Sequence, residues 1–196
     1  LSSRNALLFY VYETGDTSFL NGKTIFLQGS PVLDKINGIL IGRLSGIVAH
    51  HVPSYLKKNN LPSIKTNSIE DWEEKVSEIC RETINENMTT IGGIPSWVQM
   101  YFEILLKKSK KKNISQLFKG LSLYVYGGVN FNPYEKIFNK LLGKKINTIE
   151  YYPASEGFFA YQNSQKDKSL LLQYNSGIFY EFIKTNEFES EKYTRY

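Results

Sequence analysis

Apolar positions along this chain fall into short runs separated by glycine, proline and polar turns. Residues 6–12 (Ala-Leu-Leu-Phe-Tyr-Val-Tyr) are apolar and aromatic throughout, and period alone does not decide between helix and strand there. After turn signals at Gly15-Asp16 and Asn21-Gly22, residues 24–28 predict a buried strand that ends at Gly29-Ser30-Pro31. Residues 38–47 mix glycine with aliphatic residues and predict a tight loop beside a packed helix. They lack the Gly-Lys-Ser/Thr ending of a phosphate loop. The clearest helical period runs over residues 69–88, where Ile69, Trp72, Val76, Ile79, Thr83 and Met88 share one face, with Ser68 and Asp71 as a capping pair. Pro95 then stops any preceding helix, and Ser96 is placed to cap the next. That helix carries Trp97, Val98, Met100, Tyr101, Ile104 and Leu105, and its end is marked by the basic run 107–112.

The second half alternates more regularly. Residues 121–126 predict a strand that ends at Gly127-Gly128-Val129-Asn130. Asn132-Pro133 opens a helix lined by Ile137, Phe138, Leu141 and Leu142 and closed by Gly143, and a strand follows over 147–151. A strand–helix–strand unit crosses over right-handed with parallel strands, so both strands end on one edge of the sheet. Gly127-Gly128 and residues 152–157 therefore meet at one crevice, where open α/β sheets bind ligands. Residues 170–174 and 178–183 flank Asn175-Ser176-Gly177 and predict an antiparallel hairpin; 186–196 is a polar tail. The expected fold is α/β, with a central, mostly parallel sheet flanked by helices and an antiparallel hairpin near the C-terminus. Neither repeats nor a linker divide the 196 residues.

Composition narrows the classes. Hydrophobic residues at 41% and charged residues at 22% are those of a globular domain, and 14 Tyr and 12 Phe predict an aromatic-rich core. A net charge of +5 permits an anionic ligand without demanding nucleic acid. The lysine run has no aromatic residues interleaved for base stacking, so it reads as a solvated helix end. Cys80 is the one cysteine, which excludes an internal disulfide and a cysteine metal cluster and fits a reducing, cytoplasmic location. No apolar run reaches the length of a membrane span. His50 and His51 are adjacent, point in different directions and make a poor metal pair.

The stretch Tyr152-Pro153-Ala154-Ser155-Glu156-Gly157 carries the chemistry. A serine hydroxyl can donate to a phosphate oxygen, a carboxylate can hold magnesium together with substrate phosphates, and a tyrosine ring can cover a base. The plainer alternative is a polar turn with Glu156 in solvent.

This stretch, continued by Phe158-Phe159-Ala160, resembles the auxin-responsive acyl-acid amido synthetase family, as do Gly93-Ile94-Pro95-Ser96-Trp97, Asp71-Trp72-Glu73-Glu74-Lys75 and Glu181-Phe182-Ile183. The resemblance, to a bacterial member, extends over nearly the whole chain. It implies part of an adenylate-forming large domain: a ligase that uses ATP and magnesium to adenylate a small carboxylic acid, then passes the acyl group to an amino acid. Carried onto this sequence, it makes Ser155 and Glu156 the catalytic pair, Ser155 on phosphate and Glu156 on magnesium. Gly127, Gly128 and Val129 would lie against the adenine with Tyr152. Trp97 and Asn130 would contact the acid. The family's upstream phosphate loop, ribose-binding aspartate and small C-terminal domain have no counterpart here, so residues 1–196 are expected to be an incomplete large domain, inactive alone. Two alternatives remain: an acyl-CoA ligase of the same superfamily, and a non-catalytic nucleotide- or acyl-binding module.

Overall fold

The computed structural model describes residues 2–52, 57–154 and 156–189. Helix α1 (Ser2–Thr14) settles the undecided first run. Ala6 and Tyr10, one helical turn apart, are buried, whereas Tyr12 is almost wholly exposed. Strand β1 (Lys23–Leu27) follows, then a small antiparallel pair, β2 (Asp34–Ile36) and β3 (Ile39–Ile41), and helix α2 (Leu44–His50). The glycine-rich stretch thus divides between a hairpin and a helix. Asn37 and Gly38 both take positive φ, the geometry that two-residue hairpin turns require.

Strand β4 (Asn60–Leu61) and helix α3 (Ile64–Asn67) precede helix α4 (Trp72–Thr83). The α4 helix is shorter than its apolar period suggests. Its cap is Asp71, whose side chain accepts from the Glu74 N–H, and not Ser68, whose hydroxyl donates to the Ile64 carbonyl of α3 instead. Met88, assigned above to the helix, opens strand β5 (Met88–Gly93), which lies in the middle of the sheet. All six residues of β5 are buried, so no alternation marked it as a strand. Helix α5 (Pro95–Ser109) has Pro95 in its first turn and Ile94 at its cap, so Ser96 lies inside the helix and is not its cap.

Strand β6 (Leu123–Gly127), helix α6 (Glu135–Leu142) and strand β7 (Asn147–Ala154) form the expected unit, with β6 and β7 parallel. The Asn132-Pro133 signal marks a turn, and the helix proper begins after Tyr134. Strand β8 (Gly157–Tyr161) turns back antiparallel on β7, and β9 (Leu171–Leu172) pairs antiparallel with β8. The antiparallel hairpin near the C-terminus is β7–β8, and the one expected between 170–174 and 178–183 is not formed. Residues 178–183 carry no strand; they lie beside the sheet, with Ile178 against Gly157 and the Tyr180 hydroxyl donating to the Gln173 carbonyl at 3.1 Å. A short final helix, α7, spans Thr185–Glu189, and the tail beyond it lies outside the described residues.

The seven-stranded sheet has the order β4-β1-β5-β6-β7-β8-β9, parallel from β4 to β7. One face packs under α4, α5 and α6 through a core that includes Ile25, Ile91, Tyr124, Val76, Tyr101, Phe102 and Phe138. The other face carries α1 on Leu123, Ile149 and Tyr161. Buried tyrosine hydroxyls are satisfied: Tyr101 bonds Thr83 at 2.7 Å, and Tyr124 donates to the Gly93 carbonyl at 3.1 Å. Lys75 is buried between α3 and β1, where its ammonium donates to the Asn67 carbonyl at 2.6 Å and to the Gln28 carbonyl at 3.3 Å. Burial, then the charge of Arg43, holds its pKa below the ordinary lysine value. Among the described residues, no helix is long and apolar enough to cross a membrane.

Candidate functional site

The parallel strands end together on one edge. The register pairs Leu27 with Gly93 and Gly127 with Tyr151, so the turns after β5 and β6 and the last residues of β7 are neighbours. At Gly127 the approach is close. A Cβ there would overlap the Tyr151 carbonyl oxygen and lie 3.1 Å from Pro153 Cδ. Gly128 takes φ +81, in the left-handed region, and faces Ile94, whose Cγ2 would stand 3.8 Å from an added Cβ. The turn after β6 therefore adjoins the start of α5. Tyr124 anchors the Gly93 carbonyl from below, which ties the end of β5 to β6.

The β7 strand reaches further than expected, to Ala154, and the register slips between Tyr152 and Pro153. This irregularity accommodates a proline, which cannot donate to a ladder. Tyr152 is half exposed, and its ring lies 5.6 Å from that of Phe159 across the hairpin. Glu156 is exposed in the turn. Ser155 lies outside the described residues.

Val129 is exposed next to Gly128. Asn130 uses its Oδ1 to accept from the Asn132 N–H at 2.9 Å, a local turn, and it lines the groove beside α6. Trp97 is committed to a different contact. Its ring stands 4.6 Å from that of Trp72, where α4 meets α5, and it packs on the main core. Of the residues singled out from sequence, Gly127 closes β6 and Gly128, Val129 and Asn130 follow it, Tyr152 lies within β7 and Glu156 after it, and Trp97 sits in the helix layer.

Magnesium has a limited donor set here. No group of three or more acidic, His or Cys side chains is arranged for a metal among the described residues. Glu156 is a single exposed carboxylate. That fits magnesium carried in on phosphates, since this ion keeps its waters and takes one or two carboxylates; it does not fit a metal held by protein alone.

One concavity had no forecast from sequence. Between α6, β7 and the 162–170 segment runs a groove of about 570 Å³. Its floor is aromatic: the Tyr126 and Phe131 rings are 4.8 Å apart, and Phe138 meets Phe131 edge-on. Tyr126 donates to Glu150 Oε2 at 3.0 Å. Burial, then the Glu150 charge, raises the Tyr126 pKa far above its ordinary value, so the phenol keeps its proton. The signal was present in the sequence: Tyr124 and Tyr126 alternate on β6, and Glu150 is a carboxylate in mid-strand between Ile149 and Tyr151.

The sequence matches no family model and no curated protein. Among solved structures, the fold is similar to ATP-bound MatB from Rhodopseudomonas palustris, at 14% identity and a TM-score of 0.40, over 83% of this chain and 27% of that one. It is also similar to a long-chain-fatty-acid-CoA ligase, FadD1, from Archaeoglobus fulgidus, at 12% identity and a TM-score of 0.40, over 81% of this chain and 28% of that one. The chain thus spans about a quarter of the length of these structures. Likenesses this distant carry no argument about activity.

Proposed function

We propose that this chain is the sheet-bearing part of an ATP-dependent, adenylate-forming ligase that activates a small carboxylic acid and conjugates it to an amino acid. The observation that carries the reading is the pairing of Gly127 with Tyr151, which sets the glycine turn after β6 beside the last residues of β7, where parallel strands end. Backbone at Gly127, Gly128 and Val129 would form the shelf for the flat face of adenine. Tyr152, half exposed, supplies a ring for the base. Ser155 donates to phosphate. Glu156 holds the magnesium that arrives with ATP, and that ion neutralises charge on the phosphates. Asn130 orients the acid beside the shelf, and Trp97 shapes the helix layer behind it.

The reaction proceeds in two displacements. A carboxylate oxygen of the acid attacks the α-phosphorus, forming a C–O–P linkage and expelling pyrophosphate. The acceptor's neutral amine then attacks the acyl carbon, and AMP leaves as the proton on nitrogen is lost. Both steps depend on position and charge stabilisation more than on a strong base, which suits a crevice built of glycine backbone, a ring and one carboxylate. Thioester formation on CoA is the second reading; it shares the first displacement and differs only in the nucleophile.

The test mixes the protein in its natural, full-length form with ATP, magnesium, a panel of carboxylic acids, and either amino acids or CoA. AMP release and product mass are followed, with Glu156→Gln alongside. An amide that disappears in the variant supports the reading. A thioester alone replaces it with the CoA reading. Absence of both AMP release and ATP binding by a folded protein refutes adenylation and leaves a non-catalytic module.

A further inference from the structure

We propose that the groove between α6 and β7 binds a short peptide in extended form, its N-terminal ammonium on Glu150 and its carboxylate toward Lys145. The inference rests on the groove alone and stands whether or not the crevice handles ATP.

The first argument is the state of the wall. Gln162 is already spent: its Oε1 accepts from the Glu150 N–H at 3.1 Å and its Nε2 donates to the Ser164 carbonyl at 2.7 Å. Gln165 Nε2 donates to the Thr148 carbonyl at 2.9 Å, and its N–H donates to Glu13 on α1 at 2.5 Å. These amides hold the 162–170 segment against the sheet. Charged residues also line the groove: Glu135, Lys145, Glu150 and Lys168. Glu150 is half-buried and has a neutral phenol as its partner; among the described residues no cation pairs with it, and no carboxylate pairs with Lys145 or Lys168. A carboxylate partly withdrawn from water and held by one donor is stabilised by a cation that enters beside it.

The second argument is length and polarity. Glu150 stands opposite Tyr126, one step from the Gly127–Tyr151 pair at the C-terminal edge, whereas Asn147 opens β7 at the far edge with Lys145 beyond it. At about 3.3 Å per strand residue, Glu150 and Asn147 are roughly 10 Å apart, and Lys145 is further. Glu150 and Lys145 are therefore separated along the groove. A free α-amino acid, whose ammonium and carboxylate share one carbon, cannot reach both. A polyamine meets repulsion at the lysine end. Three or four residues of extended peptide span the distance, and a volume of about 570 Å³ falls within the usual range for small-ligand pockets. The aromatic floor of Tyr126 and Phe131 offers an apolar bed for the side chains and a π-face near the ammonium.

Calorimetric titration of the protein tests this with trialanine, N-acetyl-trialanine, trialanine amide, alanine and spermidine. The expected result is saturable binding of trialanine and none of alanine at equal concentration. Acetylation of the peptide and Glu150→Gln should each weaken binding about ten- to a hundredfold. The two losses should not add, because both remove the same contact. Lys145→Gln, at an exposed position, should leave the fold intact and reduce the preference for trialanine over its amide. Equal affinity for acetylated and free peptide overturns the proposal. So does spermidine binding in place of trialanine, or no binding by a protein whose thermal melt is normal.

Discussion

Gly127 and Gly128 are adjacent, yet their lack of a side chain serves different ends, and substitution should separate them. At Gly127 the limit is space. A methyl group would overlap the Tyr151 carbonyl and press on Pro153, so β6 and β7 must part locally. Overpacking of this kind costs about 1–3 kcal/mol. For a domain of this size, each kcal/mol lowers Tm by roughly 2–4 °C, so Gly127→Ala should melt roughly 2–12 °C early. At Gly128 the limit is backbone: φ is +81, and an added Cβ meets nothing nearer than ordinary contact at 3.8 Å. Alanine in the left-handed region costs about 1–2 kcal/mol, partly offset by a less flexible unfolded chain. Asparagine tolerates that region better than alanine. Asparagine should therefore recover stability relative to alanine at position 128 and lose it at position 127, where its extra atoms deepen the overlap. Urea unfolding followed by circular dichroism measures all four variants, and a shift in midpoint at constant slope reports stability alone. If asparagine ranks against alanine the same way at both positions, the distinction between space and strain is wrong.

Three further outcomes are expected. Asp71→Ala removes the oxygen that accepts from the Glu74 N–H at 2.7 Å and should cost about 1 kcal/mol, whereas Ser68→Ala should stay within about 0.5 kcal/mol; denaturant midpoints of the pair decide which residue caps α4. Phe102→Ala empties the middle of the main core, against Tyr101 and Phe138, and should cost about 3–5 kcal/mol in the same assay. Glu82 links α3 to α4 by accepting from the Ser63 N–H and from the Ser63 and Thr66 hydroxyls; desolvation pushes its pKa up, but these bonds outweigh it and hold the pKa below the ordinary value. Its contribution is then present at neutral pH and lost as pH falls through that lowered value, so Glu82→Gln should destabilise at pH 7 and flatten the acid limb of a melting-temperature profile.

What the sequence disclosed follows from where information sits in a strand. The β6–α6–β7 unit was legible because β6 ends in two glycines and α6 is strongly amphipathic and closed by Gly143 at φ +72. The central strand β5 was not. Met-Thr-Thr-Ile-Gly-Gly is buried on both faces and has no alternation to read, and its two glycines look like a turn. Gly92 is explained only by its neighbour: the Phe26 ring of β1 lies across it. The segment 178–183 misled for the converse reason. Its Ile-Phe-Tyr-Glu-Phe-Ile pattern is strand-like, but β9 already pairs with β8, and Ile178 finds its apolar partner at Gly157 instead.

The same contrast organises the crevice. Its β6 side is a rigid shelf: Gly127 is wedged against β7, and Tyr124 holds the end of β5 from within the core. Its β7 side carries Tyr152 within the strand and Glu156 in the turn after it, both exposed to solvent. A flat group that needs close backbone approach belongs on the first side, where nothing must move. A charged, metal-bearing group belongs on the second, where a side chain can adjust. Exchange of the two roles would place a mobile carboxylate against packed backbone, where its desolvation has no compensating partner. On the proposed reading, a nucleotide in this crevice would therefore lie with its base on Gly127 and its phosphates toward Glu156, an orientation that packing favours.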